Sequence, residues 1–147
     1  MTELVLEIFR MNGLLLAVGD RLTRELGLTS ARWQVLGALV DGPLTVAQIA
    51  RNMGLKRQSV QRLVDVLSEQ GIIIFEDNPN HRRAKLVLLT QVGWRKHEQI
   101  SEIQTRWVNS ISGGLDLKEL NAAVALLRDI EVQLQQRTDF VTLPPKK

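Results

Sequence analysis

The chain has no cysteine and no tyrosine, and only two histidines in 147 residues. Without cysteine there is no disulfide framework, no thiolate metal site and no thiol redox sensor. The histidines, His81 and His97, are not spaced as a ligand pair, so no metal is expected, although Glu98 lies beside His97. Long apolar runs are also missing. Leu14–Val18 is far short of the roughly 20 residues that span a bilayer, and Arg10 and Asp20 flank it. No leader pattern opens the chain, so the expected location is cytoplasmic, with no membrane partner. Catalytic arrangements are absent too. Ser59 has no local base, no glycine-rich loop could cradle a phosphate, and no carboxylate pair stands out. Neither an enzyme nor a cofactor is expected.

What remains is an ordinary globular composition, 44% hydrophobic and 24% charged, long enough for one domain with a core. Its net charge is only +3, but the charge is unevenly placed. Residues 51–96 hold nine basic side chains (Arg51, Lys56, Arg57, Arg62, Arg82, Arg83, Lys85, Arg95, Lys96) against four acids, which leaves −2 for the rest. A surface of concentrated cations suits a polyanion, because each phosphate neutralised releases condensed counterions. A solvated basic face is the plainer reading of the same numbers.

Hydrophobic spacing predicts a helix over residues 3–26, with Leu4, Ile8, Met11, Leu15, Val18, Leu22 and Leu26 on one stripe. Val5, Leu6, Phe9, Leu14 and Leu16 lie off that stripe, so this helix needs cover on more than one side. Gly27 ends it, and Thr29 or Ser30 can cap a second helix that stops at Asp41-Gly42-Pro43. Thr45 and Gln48 form a capping box that opens a third, short helix. After a turn at Met53-Gly54-Leu55, a fourth helix runs from about Lys56 to Gln70, burying Val60, Leu63, Val64 and Leu67.

Ile72–Glu76 and Lys85–Leu89 read as two strands around the turn Asp77-Asn78-Pro79-Asn80, with Arg82 and Arg83 near the tip. Thr90 begins a long helix to about Ser112, Gly113-Gly114 breaks it, and Asp116 with Glu119 opens a last helix to about Gln136. The fold class is therefore mainly α with a small β-hairpin wing. In one domain over 1–147, a winged helix-turn-helix lobe at about 30–90 is flanked by helices at about 1–26 and 91–137. A polar tail at 138–147 is expected to fray.

The fourth helix and the hairpin carry the chemistry. The first turns of an α-helix can reach base edges in a major groove. Lys56, Arg57, Gln58, Ser59, Gln61 and Arg62 occupy those turns. Arginine can grip guanine O6 and N7, and glutamine adenine N6 and N7. Thr45 and Gln48, at the start of the third helix, can offer donors to phosphate. Nothing structural requires two adjacent guanidiniums, Arg82 and Arg83, at a hairpin tip.

In these motifs the chain resembles the MarR family of bacterial transcription regulators. The matching residues are Gly27-Leu28-Thr29 with Trp33-Gln34-Val35-Leu36, Leu44-Thr45 with Ile49-Ala50, and Ser59-Val60 with Arg62-Leu63-Val64 and Leu67. Gln70-Gly71, Arg82-Arg83-Ala84-Lys85, Leu88-Leu89-Thr90 and Gly93 complete the match over nearly the whole chain. The resemblance implies a homodimeric, sequence-specific regulator of double-stranded DNA, a repressor at a palindromic operator, joined through its outer helices. It also implies that Arg83 enters the minor groove while Arg82 contacts the backbone.

Family members often hold a small aromatic acid between the dimer helices and the DNA-binding lobe. Here that would concern Met11, Leu15 and Trp33. For Trp33, as for Trp94 and Trp107, a core or dimer-interface role is the plainer reading. Two positions depart from the family pattern. His81 stands where an acid usually orients the second wing arginine, so Asp77 or another acid takes that role, or the tip is looser. Lys56 stands where a small capping residue is common. The rival functions are a winged-helix protein adaptor and a nonspecific architectural DNA binder.

Overall fold

The computed structural model describes residues 1–136. Along the chain come α1 (Thr2–Thr23), a 3-10 turn (Arg24–Leu26), α2 (Ser30–Ala38), β1 (Leu44–Thr45), α3 (Val46–Met53) and α4 (Arg57–Glu69). β2 (Ile73–Glu76), β3 (Leu86–Leu89), α5 (Gln91–Ile111) and α6 (Leu117–Gln136) follow. The tail expected to fray from Thr138 lies outside the described residues. Two compact units are present, one over Met1–Trp107 and a second from Val108 onward. Among the described residues no helix is long and apolar enough to cross a membrane.

In the first unit the expected helix boundaries hold to within a few residues. Gly27 takes a left-handed φ of 69° after the 3-10 turn, and Thr29 caps α2 by accepting from the Arg32 N–H at 3.3 Å. The sheet differs from a bare hairpin. Leu44 and Thr45 pair with Val87 and Leu86, so three antiparallel strands lie in the order β1-β3-β2. A two-residue strand carries no alternation of its own. It exists only because the β2–β3 hairpin offers an edge, with Ile73 opposite Leu89 and Phe75 opposite Val87.

The core gathers Val35, Leu36 and Leu39 of α2, Ile49 and Ala50 of α3, and Val60, Val64 and Leu67 of α4 against Ile72, Ile73, Val87 and Ile100. Leu63, expected inside, is half-buried at the edge. α1 contributes little to this core. Only Gly19 and Thr23 of its residues are buried, while Leu6, Phe9, Met11 and Leu14 are more than half exposed.

α1 is nonetheless pinned at its C-terminal end. A Cβ on Gly19 would lie 2.8 Å from Ser30 Oγ and 2.9 Å from Ser30 Cβ, so the glycine permits the α1–α2 crossing. Asp20 Oδ1 accepts from the Ser30 N–H at 2.7 Å, and the buried Thr23 hydroxyl donates to Gly19 O at 2.8 Å. Lys96 of α5 donates to Leu26 O at 2.6 Å, tying the same corner to a third helix.

A second close approach joins α5 to the sheet. Thr90 Oγ1 donates to Gly71 O at 2.7 Å and accepts from the Gly93 N–H at 3.1 Å, so it caps α5 while holding the end of α4. A Cβ on Gly93 would overlap the Ile72 carbonyl oxygen.

The second unit is described by α6, which has no buried residue. Asp116 Oδ1 accepts from the Lys118 N–H at 2.6 Å where α6 begins, as expected for a capping residue there. Gly114, with φ of 89°, makes the preceding break.

These contacts separate the helical glycines. Gly93→Ala should destabilise the fold by about 2 kcal/mol or more through overlap with a backbone acceptor. Gly37→Ala, where a Cβ meets nothing within 4 Å, should stabilise it by up to about 1 kcal/mol. Urea denaturation at one protein concentration checks both signs.

Candidate nucleic-acid interface

The candidate interface starts from the capping box of α3. The Thr45 N–H and the Thr45 hydroxyl both donate to Gln48 Oε1 at 2.8 Å, and Thr45 Oγ1 accepts from the Gln48 N–H at 3.3 Å. A backbone N–H can only donate, so this network fixes which end of the Gln48 amide faces the cap. Gln48 Nε2 is left as the outward donor, whereas the Thr45 hydroxyl hydrogen is used within the cap.

Gly54, with φ of 63°, closes α3 and turns the chain into α4. Lys56 is the N-cap residue of α4 and supplies no side-chain cap, so the first turn of the helix is left open. Val60, Val64 and Leu67 are fully buried and fix the rotation of α4 about its axis. At roughly 100° per residue, Gln58, Arg62 and Asp65 then point most directly away from the core. Arg57 and Gln61 turn toward the wing, and Ser59 faces the opposite flank.

The wing between β2 and β3 is shaped by its own backbone. The His81 N–H donates to Asn78 O at 3.1 Å, and His81 O accepts from the Ala84 N–H at 3.0 Å, giving two successive turns. Asn78 Oδ1 adds a bond from the Asn80 N–H at 3.0 Å. Among the described residues the one ion pair is Arg10–Glu7 on α1, so neither Asp77 nor any other acid holds Arg83. Turn hydrogen bonds through His81 set the shape of the tip, and the Arg83 guanidinium carries an uncompensated charge.

A groove of about 1140 Å³ opens between the start of α3, the flank of α4 and the wing. Thr45, Gln48, Arg57, Gln61 and Arg83 all line it. Lys56, Gln58, Ser59, Arg62 and Arg82 are exposed but lie outside it. The groove also contains Arg51, Lys85 and Asp65, which the sequence reading did not single out as contacts. Arg51 and Lys85 were legible only as part of the local basic excess. Asp65 stood four residues after Gln61 on the same helix, a spacing that does bring side chains together. Four cations around one acid make the groove strongly attractive to a polyanion.

Residues 26–84 match the model of the MarR family. An uncharacterised protein of Mycobacterium tuberculosis is 36% identical over 133 residues, covering 90% of this chain and 93% of its own. A MarR family transcription regulator of solved structure superposes with a TM-score of 0.78 at 22% identity, covering 93% of each chain. BpsR of Bordetella bronchiseptica, whose DNA binding is regulated by 6-hydroxynicotinic acid, superposes with a TM-score of 0.76 at 25% identity, covering 88% of this chain and 98% of its own.

The chain belongs to the MarR family. It is a transcription regulator with the winged-helix DNA-binding fold, and the family and its structural neighbours are regulators, not enzymes. As a MarR protein it places the candidate effector residues apart from the groove. Met11 and Leu15 are about half exposed on α1, and Trp33 packs against the core from α2. None of the three lines the groove. Among the described residues no cluster of three His, Asp or Glu could hold a metal.

The α3 cap gives a direct check on how the groove is built. Thr45→Ala should cost about 0.5–2 kcal/mol of stability, as loss of an N-cap side chain does, while Thr45→Ser should retain most of it. Equal urea midpoints for the two variants would show that the cap does not hold α3.

Proposed function

We propose that this MarR protein is a homodimeric, sequence-specific repressor of a palindromic operator. The observation that carries the reading is the groove itself. A helix in a major groove and a wing in the adjacent minor groove have one phosphate strand between them. The basic residues lining the groove are Arg51, Arg57, Arg83 and Lys85, none of them neutralised by an ion pair among the described residues. Arg83 serves as the minor-groove contact and Arg82 as a backbone contact. Gln48 donates its free amide hydrogens to phosphate, with Thr45 holding it in place. Arg57, Gln58, Ser59, Gln61 and Arg62 face base edges, and Lys56 sits near the backbone at the open end of α4.

Dimerisation accounts for the apolar surface that the chain leaves uncovered. On α1, Leu6, Phe9 and Leu14 are 62%, 69% and 57% exposed, and on α6 Leu126 and Leu134 are 52% and 69% exposed. Apolar side chains in such density favour a covering partner. A second copy would cover both helices and set two α4 helices about 10 bp apart. In this organisation the lobe at about 30–90 reads DNA, and the helices at about 1–26 and 91–137 join the copies.

A small aromatic or phenolic ligand, of the kind that regulates BpsR, would release the operator. Its site would use Met11, Leu15 and Trp33. Such a ligand acts only through its preference for a dimer with unsuitable spacing of the α4 helices.

Four measurements test this. Arg83→Ala should weaken operator binding while leaving the oligomeric state unchanged. Unchanged affinity in a gel shift at physiological salt would remove Arg83 from the interface. Replacing Leu6 and Phe9 together with Glu should yield a monomer in sedimentation and abolish operator binding. A dimer that survives the pair of charges would place the subunit contact elsewhere. Selection from genomic fragments should give a specificity ratio above about 10³. Equal affinity for all duplexes would point to an architectural binder, and no affinity to an adaptor. A promoter reporter reads the sign of regulation.

A further inference from the structure

Gln61 Nε2 donates to Asp65 Oδ1 at 2.8 Å, one turn further along α4. Both residues line the same groove as Arg57 and Arg83, and among the described residues Asp65 forms no ion pair. A carboxylate at this place works against phosphate binding, so its effect on affinity alone is unfavourable. Its effect on Gln61 is different. A carboxylate accepts hydrogen bonds and donates none, so it must face the nitrogen of the amide and not the oxygen.

That contact breaks the near-symmetry of the glutamine side chain. With one Nε2 hydrogen held by Asp65, the amide presents Oε1 and its second hydrogen to an outside partner, an acceptor beside a donor. In the major groove adenine offers the complement, the N6 donor beside the N7 acceptor, whereas guanine offers two acceptors, O6 and N7. An unrestrained glutamine can rotate to give both its hydrogens to guanine. One restrained by Asp65 meets guanine O6 with its own oxygen.

We propose that Asp65 is a positioning residue for base reading: it fixes the amide of Gln61 so that α4 prefers adenine over guanine at one position of its site. The inference rests on α4 entering the major groove. It assigns specificity to a residue that touches no base.

Selection from a random duplex pool with the full-length protein tests it, followed by affinities for single-base variants of the selected site. The wild type should prefer adenine to guanine at one position by about 5- to 150-fold, the range for one bidentate pair. Gln61→Ala should lose that preference. Asp65→Ala should lower it at the same position by about 2- to 12-fold, the range for freeing one restrained side chain. Its affinity for unrelated duplexes should be equal or higher, because a negative charge has left the groove. Asp65→Asn, which keeps an acceptor oxygen, should fall between wild type and Asp65→Ala. The double variant should match Gln61→Ala alone.

An Asp65→Ala protein that keeps the preference which Gln61→Ala loses would overturn the inference, as would effects at two different positions. If Gln61→Ala leaves a selective protein unchanged, the inference fails while the regulator reading stands. A wild type with no base preference overturns both.

Discussion

Val60, Val64 and Leu67 have no solvent exposure, and burying them holds α4 at one rotation about its axis. Each such side chain contributes on the order of 1.5–3 kcal/mol by leaving water. The polar side chains of α4 have no comparable hold of their own. Their directions follow from the buried stripe: Gln58, Arg62 and Asp65 outward, Arg57 and Gln61 toward the wing. Rotating α4 by one residue would expose an apolar side chain and carry Gln61 away from the groove. The reading surface is thus fixed by residues that never meet the ligand.

The second constraint is electrostatic. A protein surface usually intersperses its charges, but Arg51, Arg57, Arg83 and Lys85 converge on one groove without an ion pair among the described residues. Leaving these cations out of ion pairs forgoes only the small stabilisation of surface pairs, about 0–1 kcal/mol each. With Asp65 the one acid lining the groove, a net positive charge stays available to a phosphate strand. The wing follows the same economy of means. Where the MarR family often orients its arginine with an acid, this chain shapes the tip with backbone turns through Asn78 and His81.

α1 links this lobe to the surface through which a second copy would bind. Its apolar side chains are exposed along most of its length, yet its end is fastened by the Gly19–Ser30 crossing, the Asp20 bond to α2 and the Lys96 bond to Leu26. The helix to which it is fastened, α2, packs directly on α4 through the core. The proposed effector residues Met11 and Leu15 lie on the exposed part of α1, and Trp33 lies on α2 at the crossing, its ring close to Gly19. Ligand release of DNA would need no more than a small displacement along this path.

Much of the fold was legible because local rules and tertiary packing agree. Apolar spacing gave the helices, Thr45 with Gln48 gave the cap of α3, and Gly27, Gly54 and Gly71 marked the turns that their positive φ values now explain. The basic excess of residues 51–96 and the polar first turns of α4 point to DNA from the sequence alone. Some features could not be read this way because they depend on groups distant in sequence. β1 needs an edge supplied more than 40 residues later. The freedom of Arg83 from any acid depends on where the wing folds. The inclusion of Arg51 and Lys85 in one groove, and the exclusion of Arg62 and Arg82, depend on how α3, α4 and the wing meet. The sequence by itself determined the elements, their order and the kind of partner, since these follow from side-chain type and period. Only the tertiary structure decided which polar groups share a surface, because direction and distance between elements are set by the packing of the core beneath them.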